Sequence, residues 1–340
     1  MLFDNGAGIN HNFTVTQLSS MKKTYLGKSG IRITPFALGG NVFGWTIDEQ
    51  KSFKILDAFI ENGFNLIDTA DVYSTWKAGN KGGESESIIG NWMKQRNNRD
   101  KVIIATKVGG DMGLGKKSLA KDWILNEVEA SLRRLQTDYI DLYQSHWDDV
   151  STPVEETLRA YEHLIKEGKV REIGASNFSK ERLAEAITCS EKNKLPRYET
   201  FQPRYNLYDR EEYETKYMQL CVEKNLGVIS YYSLASGFLT GKYRSEADLG
   251  KSARGGGIKN YLNPRGLKIL DALNDVAEKY KVTPATISLA WIIAQPAIAA
   301  PIASATNEEQ LKELMKSVEI NLKTEDLEKL NEASSWMSDE

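Results

Sequence analysis

Histidine and cysteine are scarce in this chain. Three histidines, His11, His146 and His163, stand among 340 residues. That scatter argues against a catalytic zinc site, which commonly needs two or three clustered imidazoles. The two cysteines, Cys189 and Cys221, belong to no CxxC motif. Isolated thiols suit a reducing compartment, where free Cys behaves as a small apolar residue; a cytoplasmic location is expected. No apolar run approaches the roughly 18 residues that span a bilayer. Residues 1–20 carry neither a charged n-region nor a long apolar h-region, so they are not read as a signal peptide. They are set aside as a tag-like or disordered extension. A GxGxxG turn is missing too. Gly109-Gly110 and Gly255–Gly257 do not match its spacing, which disfavours an open doubly wound dinucleotide-binding sheet.

Charge shows no bias. The 44 Lys and Arg residues are spread along the chain against 47 Asp and Glu, leaving a net charge of −3. No basic patch for nucleic acid and no basic face for a membrane results. Hydrophobic residues at 41% and charged residues at 27% are close to globular averages, enough to build a large core.

From residue 36 onward, short apolar runs alternate with longer helical patterns. The expected strands are 36–40, 65–70, 102–108, 140–147, 170–177, 200–206, 227–233 and 299–305. Between them, residues 50–62 place Phe53, Leu56 and Ile60 on one helical face, with Gly63 as a stop. Residues 122–135 do the same with Ile124, Val128, Leu132 and Leu135. Thr152-Pro-Val-Glu155 reads as a capping box, with Gly168 closing its helix. Ser179 and Thr283 read as further N-caps. Eight strands alternating with helices predict parallel βαβ units closing into a (β/α)8 barrel over residues 21–340. A hairpin over 24–34 is expected to plug the far end. Two connections, 74–83 and 234–263, are too long to be plain links and are read as functional loops.

Residues able to do chemistry cluster at the predicted strand ends. The second strand leads into Asp68 and Tyr73, the third carries Lys107, and the fourth runs into His146. Taken singly, each is more often a packing or structural residue. Four at three successive strand ends point to a site, because a barrel converges those ends on one pocket. A Lys near a phenol favours its phenolate, a carboxylate compensates the Lys, and His positions a carbonyl or relays a proton.

The segments IDTADVY, VIIATKV, YIDLYQSHW and GASNF, in that order, resemble those of the aldo-keto reductases over roughly residues 22–335. The resemblance implies an NAD(P)H-dependent carbonyl reductase acting on a small-molecule carbonyl substrate. Tyr73 would be the general acid, Lys107 would lower its pKa, Asp68 would pair with Lys107, and His146 would orient the substrate carbonyl. Ser176, Asn177 and Gln202 would hold the nicotinamide carboxamide, and Tyr231 would stack on the ring. Ser233, Leu234, Gly237, Leu239 and Lys242 would cradle the pyrophosphate. Ser304, Thr306 and Gln310 would grip the adenosine end. Here the chain departs from the pattern: NADPH-preferring relatives often carry a cation about where Thr306 stands, and Leu314 stands where Asn is common. Arg254 or Lys259 is expected to supply the missing charge, so NADP(H) is favoured and NAD(H) is kept open. The oligomeric state is open as well. Two other classes compete: a non-catalytic cofactor sensor or regulatory subunit, as in potassium-channel β subunits, and a metal- or carboxylate-dependent barrel hydrolase. The complete set of four residues disfavours the first, and the shortage of His disfavours the second.

Overall fold

The computed structural model describes residues 23–113, 115–251 and 255–337. Residues 1–20 therefore lie outside the described residues, as does Arg254. A short antiparallel hairpin, β1 (Thr24–Tyr25) and β2 (Arg32–Ile33), precedes the main body. Eight parallel strands then close into a barrel: β3 (Ala37–Gly39), β4 (Leu66–Asp68), β5 (Ile103–Val108), β6 (Ile140–Ser145), β7 (Val170–Ser176), β8 (Tyr198–Gln202), β9 (Gly227–Ser230) and β10 (Ile298–Ala303). Each neighbours the next, and β10 returns to pair with β3. All eight expected strands exist. Most end earlier than expected, and residues such as Asp71, Asn177 and Ser233 belong to the loops above them.

Helices α1 (Glu49–Glu61), α2 (Glu84–Arg96), α3 (Lys121–Leu135), α4 (Val154–Lys166), α5 (Lys180–Asn193) and α6 (Met218–Lys224) follow the first six barrel strands. Two helices, α7 (Pro264–Tyr280) and α8 (Pro284–Ile293), follow β9, while α9 (Glu308–Met315) and α10 (Thr324–Ala333) follow β10. Ser179 and Thr283 cap their helices as expected, accepting from the Arg182 and Thr286 amides. The reading of Thr152 is corrected. Its hydroxyl donates to Asp149 at 2.6 Å, and Pro153 occupies the N-cap without a side-chain bond. The nearer carboxylate outcompetes the helix end. The α1 face is also corrected: Ile55, Leu56 and Phe59 are buried, with Phe53 and Ile60 only partly so. In α3 the expected residues Ile124, Val128, Leu132 and Leu135 are all buried.

Strand alternation sorts the barrel interior into layers. Low in the barrel, Ala37, Leu66, Ala105, Leu142 and Ile229 pack with Leu26, Ile31 and Ile33 of the hairpin, which closes that end. Two residues further along the same strands stand Asp68, Lys107 and Gln144, so the upper interior is polar and nearly sealed. The intervening residues, such as Ile67 and Tyr143, pack outward under the helices. Gly174 keeps the polar layer open: a Cβ there would lie 2.1 Å from the Thr200 hydroxyl and 3.1 Å from Gln144.

Candidate active site

Asp68 is the last residue of β4, and Lys107 lies one residue before the end of β5. Both point into the barrel mouth and both are buried. The Lys107 ammonium lies 2.8 Å from each Asp68 oxygen and also donates to the Thr69 carbonyl at 2.7 Å. Its third contact is the Tyr73 hydroxyl at 2.9 Å. That hydroxyl donates to Asp68 at 3.0 Å. Gln202, at the end of β8, donates its amide to the other Asp68 oxygen at 3.0 Å and to Gln144 at 3.3 Å. His146 follows β6, with its ring centroid 6.0 Å from that of Tyr73. The four expected residues therefore share one pocket.

Burial sets their protonation. The Tyr73 phenol is pushed well above its usual range, first by burial and then by the Asp68 carboxylate. The expectation that Lys107 brings this phenol down is thus outweighed, because Asp68 lies as close to the hydroxyl as the ammonium does. Burial lowers the Lys107 ammonium while Asp68 pulls the other way. Burial, and behind it the Lys107 and Lys117 charges, holds His146 well below its ordinary value, so the imidazole is neutral at neutral pH. Its Nδ1 is buried with no partner among the described residues. Asp71, two residues before Tyr73, is also buried, and burial with Glu86 nearby keeps its carboxyl protonated well above the normal range. It accepts from the Val72 amide at 2.7 Å, fixing the turn that carries Tyr73.

Beside this group lies a second cluster. Asn177 donates to the His146 carbonyl at 2.9 Å and to Ser176 at 3.1 Å, and it accepts from the Tyr231 hydroxyl at 2.8 Å. Ser176 donates to the Gln202 carbonyl at 2.8 Å. Ser233 donates back to the Ser230 carbonyl at 3.0 Å. Leu239 is wholly buried and Leu234 packs on the core, so these residues offer backbone rather than side chain. Ala235, Ser236 and Gly237 all adopt positive φ, at 47°, 58° and 98°. Within this run the Ala235 and Gly237 amides donate to the Tyr232 and Leu234 carbonyls at 2.7 and 2.8 Å. Lys242 is exposed, its ammonium 5.1 Å from the Tyr243 ring centre. Ser304 donates to Asn41 at 2.5 Å, and Thr306 donates its amide and hydroxyl to Gln310, each at 3.0 Å. Lys259 is paired with Glu246 at 3.2 Å.

Two participants escaped the sequence reading. Gln144 stands beside Gln202 inside the barrel, signalled only by strand alternation. Asn41, after the Gly39-Gly40 pair, meets Ser304 from the other end of the chain. The mouth is aromatic. Trp45 and Trp76 meet edge to face at 5.6 Å, Trp76 lies 6.0 Å from Tyr73, and Trp147 stacks on His146 at 3.7 Å. Among the described residues, no helix is long and apolar enough to cross a membrane, and no cluster of three or more His, Cys, Asp or Glu is placed to hold a metal ion.

The aldo/keto reductase family model matches residues 35–335. The uncharacterized oxidoreductase YrpG of Bacillus subtilis is 36% identical over 322 residues, covering 92% of this chain and 95% of its own. The aldo-keto reductase YhdN of the same organism is 35% identical, covering 93% and 92%. A probable voltage-gated potassium channel subunit beta of Arabidopsis thaliana is 32% identical, covering 88% and 92%. With a closed eight-stranded parallel barrel and a family match spanning nearly all of it, the chain belongs to the aldo/keto reductase family, as an NAD(P)H-dependent oxidoreductase.

Proposed function

We propose that the chain reduces aldehydes and ketones to alcohols, with NADPH favoured over NADH and Tyr73 as the general acid. One observation carries this reading: a buried ammonium within hydrogen-bond reach of both a phenol and a carboxylate at the barrel mouth. The dinucleotide, when bound, supplies the hydride. Tyr73 is protonated at neutral pH and gives its proton to the oxygen that becomes the alcohol. Lys107 then faces the phenolate left behind and stabilises it, while Asp68 keeps Lys107 charged against burial. Neutral His146 orients the carbonyl oxygen by hydrogen bonding. Ser176, Asn177, Gln202 and Tyr231 would hold the nicotinamide end, and the 233–242 segment the pyrophosphate. The Arabidopsis relative named as a channel subunit gives the runner-up reading, a cofactor-binding regulator on the same fold. A steady-state screen of aldehydes and ketones with both cofactors separates the two. A reductase turns over at least one class with saturable kinetics; a regulator binds cofactor and turns over none.

Two outcomes concern the cofactor. Removing the Tyr231 ring in Tyr231→Ala loses a stacking surface worth roughly 0.5–1.5 kcal/mol, so NADPH and NADH should each bind about 2- to 10-fold more weakly. Fluorescence titration reads this, and unchanged dissociation constants would remove Tyr231 from the site. Arg254 is proposed to bind the 2′-phosphate because it sits in SARGGG within the long loop, whose glycines let the backbone close without strain. A charged hydrogen bond of roughly 1.5–3 kcal/mol then weakens NADPH about 10- to 100-fold in Arg254→Ala, with NADH barely changed. Equal loss for both cofactors would place Arg254 on the pyrophosphate instead.

A further inference from the structure

Arg204 has no counterpart in the chemistry described so far. It stands two residues beyond Gln202, on the strand line of β8, and pairs by backbone with Tyr231. Residues two apart on a strand share a side and stand about 7 Å apart. Arg204 is therefore one layer above the amide that touches Asp68, at the rim of the same mouth. It is exposed. Its guanidinium lies 4.8 Å from the Tyr232 ring centre and also interacts with the Tyr231 hydroxyl. Arg210, six residues on, pairs with Glu214 at 2.8 Å. Arg204 forms no such ion pair among the described residues. One oxygen of the nearby Asp209 carboxylate accepts from the Tyr261 hydroxyl at 2.9 Å and the Asn206 amide at 3.0 Å; these neutral donors leave its charge in place, and it partly compensates Arg204. A cleft of about 260 Å³ opens beside Arg204, lined by Asn177, Tyr231 and Glu212 and walled by Phe201 and Tyr217 on the outer side of β8; Tyr73 and His146 do not line it. Glu212 works against an anion in that cleft, but it is solvated at 65% exposure and paired with Lys216 at 3.1 Å.

We propose that Arg204 selects carbonyl substrates that carry a carboxylate, holding it at the rim while the carbonyl reaches Tyr73. This rests on the reductase reading for its biological sense but not for its test. The guanidinium matches a carboxylate in bidentate geometry, and its aromatic floor suits a flat spacer between the two groups.

The test is calorimetric titration of the NADPH-loaded protein with benzoate and with benzamide, its neutral counterpart. The wild type should bind benzoate more tightly. In Arg204→Gln benzoate should weaken about 10- to 100-fold and benzamide less than twofold, with partial recovery for benzoate in Arg204→Lys. An equal benzoate-to-benzamide ratio in wild type and Arg204→Gln overturns the proposal. So does a matching loss of NADPH affinity, which would assign the anion to the cofactor. In parallel, the kcat/KM ratio of 4-carboxybenzaldehyde to benzaldehyde should fall to a similar extent. A wild type that turns over no aldehyde or ketone in the screen above, yet binds benzoate through Arg204, sinks the reductase reading and leaves the anion assignment standing. One that reduces both aldehydes but does not prefer benzoate sinks this assignment alone.

Discussion

Tyr73→Phe should lose about 10²- to 10⁴-fold in kcat for carbonyl reduction, the range general acid catalysis supplies, while NADPH affinity stays within about twofold. The substitution deletes one hydroxyl. That hydroxyl contacts Lys107 and Asp68 and belongs to a side chain held between the aromatic mouth and the barrel floor. Lys107 keeps both Asp68 oxygens and the Thr69 carbonyl, so the buried charge pair stays satisfied and the fold should persist. What disappears is the donor for the developing alkoxide. Near-wild-type turnover would remove Tyr73 from the chemistry. Loss of folding, read by circular dichroism, would show that the hydroxyl is structural instead.

The second large effect is on stability. Lys107→Met leaves the Asp68 carboxylate buried without its cation, and uncompensated buried charges of this kind cost about 3–5 kcal/mol. Tyr73 and Gln202 still donate to Asp68, which puts the expected value at the lower end, about 3 kcal/mol. Adding Asp68→Asn should restore part of the loss, because the unpaired charge is then gone. Urea unfolding of the three variants reads the comparison. If Lys107→Met alone is as stable as the wild type, the buried pair contributes little.

The architecture was legible because the signals were local. Each strand is a short apolar run whose alternation also dictates which residues face the barrel, and α3 shows its buried stripe outright in Ile124, Val128, Leu132 and Leu135. The four candidate catalytic residues were legible as strand-end positions. What failed depended on distances the sequence does not carry. Thr152 looks like a cap until Asp149 competes for its hydroxyl. The Gln202 amide reaches Asp68 across 134 residues of sequence, a link made only by barrel closure.

The most direct test of the reductase account is isotope transfer under single turnover. NADPH carrying deuterium at both C4 hydrogens is mixed with excess protein and an aldehyde that the wild type reduces. The account predicts that the label appears on the carbinol carbon of the product alcohol, at a rate that collapses in Tyr73→Phe. Product without label, or label transfer that Tyr73→Phe leaves untouched, would contradict it.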